Sequence, residues 1–144
     1  MSYMFDQCTK LEELLINPST FKTDKVSNMS YMFNECHELK KIDLSSFNIK
    51  NVKYTSYMFG NCQKLDEVDL SGSKFNKDAI MIHMFEGCSN INRINISSLD
   101  AFESKKLENM FDYLSKSTKI IVNKNCINEF KRMFKAVGNQ FLSN

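Results

Sequence analysis

Long apolar runs, a surplus of charge of one sign and glycine-rich loops are all missing from this sequence, and each absence removes a class of function. No window of about 18 apolar residues occurs, so no segment is suited to span a bilayer as a helix. The 19 basic side chains are scattered and stand against 17 acidic ones, a net charge of +2. Nothing here neutralises a run of phosphates, and nucleic acid is not an expected partner. Only four glycines are present and none builds a phosphate loop, while a nucleophile elbow and a His-Glu-x-x-His zinc helix are also absent. The five cysteines include no Cys-x-x-Cys pair, so no metal is expected, nor any cofactor. The first residues lack the charged-then-apolar layout of a secretory signal.

What is present is repetition. Met32-Phe33-x-x-Cys36-x-x-Leu39 recurs as Met4-Phe5 with Cys8 and Leu11, Met58-Phe59 with Cys62 and Leu65, and Met84-Phe85 with Cys88 and Ile91, then in a worn copy from Met110-Phe111. The steps between motif methionines are 28, 26, 26 and 26 residues. A fixed period of this size marks an array of stacked supersecondary units, in which each unit buries its apolar face against its neighbour. The 144 residues divide into an array over 1–124, of about five repeats, and a C-terminal segment over 125–144.

Within a repeat, Met29, Met32, Phe33 and Cys36 fall at i, i+3, i+4 and i+7, which predicts a short helix with Ser27 and Asn28 as candidate N-caps. After the cysteine the period changes to two. Leu14 and Ile16, Ile42 and Leu44, Val68 and Leu70, Ile94 and Ile96, and Ile120 and Val122 are the inward pairs of half-buried strands. Phe21, Phe47, Phe75 and Phe102 are the expected apolar anchors beyond the strands, and Val26, Val52, Ile80 and Leu107 lead into the next unit. In the first copy Pro18 is expected to close the strand. At the other end Ile127, Phe130, Phe134, Val137 and Phe141 mark one face of a capping helix, with Met133-Phe134 a candidate sixth, shortened copy of the motif.

Two structural ladders follow from the repeat: Cys8, Cys36, Cys62 and Cys88, and Phe5, Phe33, Phe59, Phe85 and Phe111. Leu114 takes the cysteine's place in the fifth copy, which points to packing, not metal or disulfide chemistry. His83 occupies the position of Tyr3, Tyr31 and Tyr57, and His37 adjoins Cys36 in a geometry that does not pair them on a helix, so no catalytic residue is assigned.

Each unit contains Leu-x-x-Leu-x-Leu, and the consensus SYMFxxCxxLxxxDLSSF, strongest over Ser30–Phe47 and Ser56–Leu70, resembles the BspA-like leucine-rich repeats with a period of about 25–26 residues, over residues 1 to 122. The resemblance implies an α/β solenoid: a right-handed coil with one parallel β-sheet, short helices on the opposite side and a C-terminal helical cap. Such repeats are abundant in surface lipoproteins of wall-less bacteria and are implicated in adhesion to host or matrix proteins. The resemblance therefore implies a non-catalytic protein-binding module of a cell-surface or secreted protein. The alternative is an intracellular scaffold module, cytoplasmic if Met1 is the true start. An unprotected first strand edge is the reason to expect a piece of a longer precursor.

A binding surface would lie on the outward residues of the strands, which form three rows. Glu13, Lys41, Glu67, Arg93 and Lys119 alternate in sign over the first four, and Asn17, Ser45, Ser71, Ser97 and Asn123 suit turns. The middle row has Asp43 beside Asp69, like charges about 5 Å apart that cost stability without an offsetting group. Asp43, Asp69 and Asn95 are therefore the expected centre of a protein-binding face, with Leu15 and Ile121 as apolar anchors. The same row is equally expected to be a solvated acidic patch with no partner. Asn28 and Asn95 also fit the glycosylation sequon, a match common by chance in an Asn-rich chain.

Overall fold

Each motif copy begins with a series of tight turns and ends in a short parallel strand. The computed structural model describes residues 1–144 apart from Pro18, Ala101, Ala136 and Asn139, with Ser104 as backbone only, so the expectation for Pro18 lies outside the described residues. The strands are β1 (Glu13–Leu14), β2 (Lys41–Ile42), β3 (Glu67–Asp69), β4 (Arg93–Asn95) and β5 (Lys119–Val122), followed by α1 (Ile127–Met133) and β6 (Gln140–Ser143). All pairings are parallel, and equivalent residues face one another: Leu14 opposite Ile42, and Val68, Ile94, Ile120 and Phe141 in one line.

The single expected sheet is two sheets, β1-β2 and β3-β4-β5-β6. Between them, among the described residues, the Asp66 N–H donates to the Lys40 C=O at 3.2 Å and holds the N-terminal ends together. Leu70 and Ile96 each donate to the following strand, at Asn95 and Ile121, both at 2.9 Å. Leu44 makes no such bond to Asp69 among the described residues. Full pairing there would set two carboxylates side by side, and the strands part instead.

The helix expected at the start of each repeat does not form. Tyr3, Tyr31, Tyr57, His83 and Asn109, each just before a motif methionine, have φ of 54–59°, and Gln7, Glu35, Asn61, Gly87 and Tyr113, three residues after it, have φ of 56–73°. Two left-handed residues per repeat break any right-handed helix, at a cost of about 1–2 kcal/mol for each that carries a side chain. The compensation is hydrogen bonding across repeats. The N–H groups of Tyr31, Phe33 and Glu35 donate to Ser56, Met58 and Gly60 at 3.0, 2.9 and 2.8 Å, while Met32, Asn34 and Cys36 close turns on Met29, Tyr31 and Phe33. A helix keeps all such bonds to itself; here every second N–H reaches the next repeat. Met29, Met32, Phe33 and Cys36 nonetheless all point into the core. Asn28 accepts from Ser30 N–H at 2.8 Å and so caps a turn, not a helix.

The core is a set of columns. The Phe5, Phe33, Phe59, Phe85 and Phe111 rings stack at 5.3, 5.5, 5.7 and 6.2 Å with planes within 7°. Burying each such side chain stabilises by about 1.5–3 kcal/mol. Phe21 packs on Phe47 with the rings tilted by 45°, but that position continues through Ser73 and Leu99, whose N–H groups make the bonds to Leu70 and Ile96 that Phe47 makes to Leu44. Phe75 and Phe102 are half-buried; they stand five and six residues after Leu70 and Ile96, against the three between Leu44 and Phe47. Ile80 is likewise displaced: Ala79 and Met81 are buried, while Ile80 bridges to Tyr54.

At the C-terminus the helix is shorter than the periodicity predicts. It ends at Met133; Gly138, at φ 72°, lies in the turn that follows, and Phe141 sits on β6 opposite Ile120. Phe141 is still buried, so one apolar pattern is served first by a helix and then by a strand. Eight positions separate Met133 from Phe141, against ten between Met58 and Val68, and Met133 ends a helix where Met58 sits on a turn.

Candidate interaction surface on the sheet

The outward face of the strands carries the expected site residues, and the structure divides them into two groups. Asp69 and Asn95 are adjacent in register, joined by Asn95 Nδ2 donating to Asp69 Oδ2 at 3.0 Å. Ile121 is half-buried next to Asn95, with Leu142 beyond it on β6. Asp43 lies just past the end of β2 in the other sheet, and Leu15, 86% exposed, extends from the end of β1.

The middle row proves to have the structural purpose that sequence reasoning did not find. Asp43 Oδ1 accepts from Ser45 N–H at 2.8 Å, Asp69 Oδ1 from Ser71 N–H at 2.9 Å, and Asn95 Oδ1 from Ser97 N–H at 3.2 Å. Each side chain thereby caps the turn that ends its own strand. The signal was legible as Asp-Leu-Ser, Asp-Leu-Ser and Asn-Ile-Ser at one repeat position. Asn95 is buried with both ends of its amide engaged, which leaves it unavailable to a glycan.

The electrostatics follow. Bonds from Ser45 lower the Asp43 carboxyl below its ordinary range. Partial burial works to raise Asp69, but Ser71, Asn95 and Arg93 together outweigh it and hold the group at about 2. Arg93 is shared between Asp69, at 3.1 Å, and Glu67. Burial alone would lower the Arg93 guanidinium; the two carboxylates reverse that and raise it.

Where the sheets part, the face opens into a cleft of ≈ 600 Å³. Leu14, Leu15, Ile42 and Leu44 supply its apolar wall; Glu13, Asp43, Asp66, Glu67 and Asp69 supply carboxylates, with Lys41 the lining ammonium. Asp66 is an addition that the three-row scheme missed, while Glu67 comes from its first row. Asp66 stands one position before the strand row, where Glu12 pairs with Lys40 at 2.7 Å in the preceding copies and Asn92 donates to Asp66 at 2.6 Å in the following one.

Two further groups with chemical potential lie elsewhere. The Cys36, Cys62 and Cys88 thiols, all buried, donate to the carbonyls of Phe5, Phe33 and Phe59 at 3.1, 3.0 and 2.9 Å. Burial pushes Cys36 up to about 12, far from a nucleophile's range, so its neighbour His37 has no thiolate to generate. Cys8 is only half-buried. On the surface, Tyr3, Tyr31, Tyr57 and His83 stack at 4.8, 5.0 and 4.5 Å, and His83 Nδ1 faces the Glu86 carboxylate. Burial raises the Tyr31 and Tyr57 phenols. Among the described residues no helix is long and apolar enough to cross a membrane.

Comparison with known proteins adds one finding. Two overlapping stretches, residues 1–93 and 67–143, match the profile of the family described as Mycoplasma protein of unknown function, DUF285. No curated protein and no solved structure matches the chain.

Proposed function

Because the chain belongs to the DUF285 family, whose description assigns no activity, we propose from its surface that it is a non-catalytic protein-binding module of the BspA-like leucine-rich-repeat type, wound as a solenoid. The observation that carries the reading is the cleft of ≈ 600 Å³ on the sheet face, with the exposed Leu15 at its edge. A concave site of this size with apolar walls and a few polar groups is the usual form of a binding site. Function lives in such sites more than in the fold that carries them. Adhesion to another protein at a cell surface is the setting the repeat resemblance favours. An intracellular scaffold draws on a different observation, five free thiols, which a reducing compartment preserves.

The test compares three immobilised forms of the chain against host-cell and matrix extracts. These are the wild type, a sheet-face variant carrying Leu15→Ser and Ile121→Ser, and a control variant carrying Tyr3→Ser and Tyr31→Ser in the surface tyrosine stack away from the sheet face. Proteins retained by the first and third but lost by the second support the reading. Equal retention on all three would sink it.

A further inference from the structure

The cleft between the two sheets has features that select a kind of partner. Its lining carries five carboxylates and one ammonium, although the chain as a whole has a net charge of +2. Acidity is therefore concentrated at this place. Arg93, just outside, is shared by Glu67 and Asp69, and so leaves one of the two charges uncompensated. The bonds made to Asp43 and Asp66 come from neutral donors, the Ser45 N–H and the Asn92 amide. Nearby lysines are engaged elsewhere: Lys40 with Glu12 at 2.7 Å and Lys64 with Glu38 at 2.6 Å.

Backbone geometry points the same way. Leu70 and Ile96 pass their N–H groups to the next strand, but Leu44 finds no such partner on β3 among the described residues. The parting strands thus offer main-chain groups along the wall of a cleft whose other surfaces are Leu14, Leu15 and Ile42. Main-chain bonding to an open strand combined with side-chain pockets is how sheets take up extended peptides.

We infer that the cleft receives an extended segment of a partner protein that carries an apolar side chain flanked by lysine or arginine. The apolar residue packs against the exposed Leu15 and the half-buried Ile42, and the flanking cations meet Asp43, Asp66 and the shared carboxylates of Glu67 and Asp69. This inference rests on the protein-binding reading of the sheet face and adds the chemistry of what is bound.

The probe is a labelled hexapeptide of alternating lysine and leucine, with a glutamate and leucine counterpart, titrated into the intact chain by fluorescence anisotropy. The lysine peptide binds and the glutamate peptide does not. Asp43→Asn with Asp66→Asn weakens the lysine peptide by about tenfold or more, while Glu108→Gln with Glu129→Gln, an equal change of charge outside the cleft, alters affinity by less than about twofold. The wild-type chain supplies a check that needs no variant, since affinity for the lysine peptide falls as salt rises. Equal affinity for the two peptides, or equal effects of the two double variants, overturns the assignment. A captured protein that depends on Leu15 and Ile121 but is indifferent to Asp43→Asn with Asp66→Asn also overturns it, and leaves the broader sheet-face reading standing. Loss of face-dependent capture removes that broader reading.

Discussion

Asp69 makes the sheet face sensitive to acid. Its carboxyl is held at about 2 against an ordinary value of 3.8, so the folded form favours the carboxylate. The resulting stabilisation is complete above about pH 5 and is lost as the pH falls through 3.8 towards 2. The side chain is 42% exposed, and solvent screening reduces the contribution to the order of 1 kcal/mol. Asp69→Asn therefore lowers stability near pH 7, and the difference from wild type shrinks towards pH 2, as measured by urea unfolding at the two pH values; a constant difference would contradict the assignment. A second residue-scale prediction concerns the thiol ladder. Cys62 is fully buried, its interaction with the neighbouring Cys88 thiol and then burial raise its pKa, and its Sγ donates to Phe33 C=O. Cys62→Ala leaves that carbonyl without its side-chain donor and costs about 1–3 kcal/mol. Cys62→Ser keeps a donor and costs less in the same urea measurement. Equal losses would show that the ladder acts by volume alone.

At the scale of the element, turns and helix were indistinguishable in the apolar pattern. Both place i, i+3, i+4 and i+7 inward, so Met29, Met32, Phe33 and Cys36 satisfied the helical expectation and yet sit on turns. The distinguishing signal is at the outward positions. Asn61 and Gly87, both residue types that tolerate a left-handed backbone, recur three residues after the motif methionine, where every copy has positive φ. Strands and their register were legible because a period of two combined with a fixed repeat sets equivalent residues opposite each other. The gap between β2 and β3 was foreshadowed by the like charges of Asp43 and Asp69, although their turn-capping role went unread. Two glycines test the turn geometry. A Cβ at Gly87 would collide with Asn61 Oδ1 at a φ of +73°, whereas one at Gly72 meets nothing within 4 Å. Gly87→Ala destabilises by about 1–2 kcal/mol. Gly72→Ala leaves stability unchanged or raises it by up to about 1 kcal/mol, through a less flexible unfolded chain. Thermal unfolding of the two variants side by side decides it, and the reverse order would show that the left-handed position does not constrain the turn.

For the whole molecule, the chain-order stacking of the phenylalanine column was legible from the period, but the packing at its C-terminal end was not. One apolar pattern over Ile127 to Phe141 read as a single helix because helix α1, the turn after it and strand β6 all direct phenylalanines at the same target. That target is the end of the phenylalanine column. Phe111 meets Phe134 at 4.8 Å and Phe141 at 5.9 Å, with Phe130 at 6.4 Å completing the cluster and Phe102 packed on Phe130 at 4.8 Å. Phe130 is fully buried, so Phe130→Ala removes a large side chain and costs about 3–5 kcal/mol. How that loss is distributed tests the stacking itself. In an array where each unit contacts only its neighbours, damage to the last unit spreads inward one interface at a time. Hydrogen exchange on Phe130→Ala should therefore show protection falling most in β5 and β6, less in β4, and least in β1 and β2. Uniform loss across all six strands would mean that the repeats unfold as one block, and that stacking confers no local independence on the cleft end of the molecule.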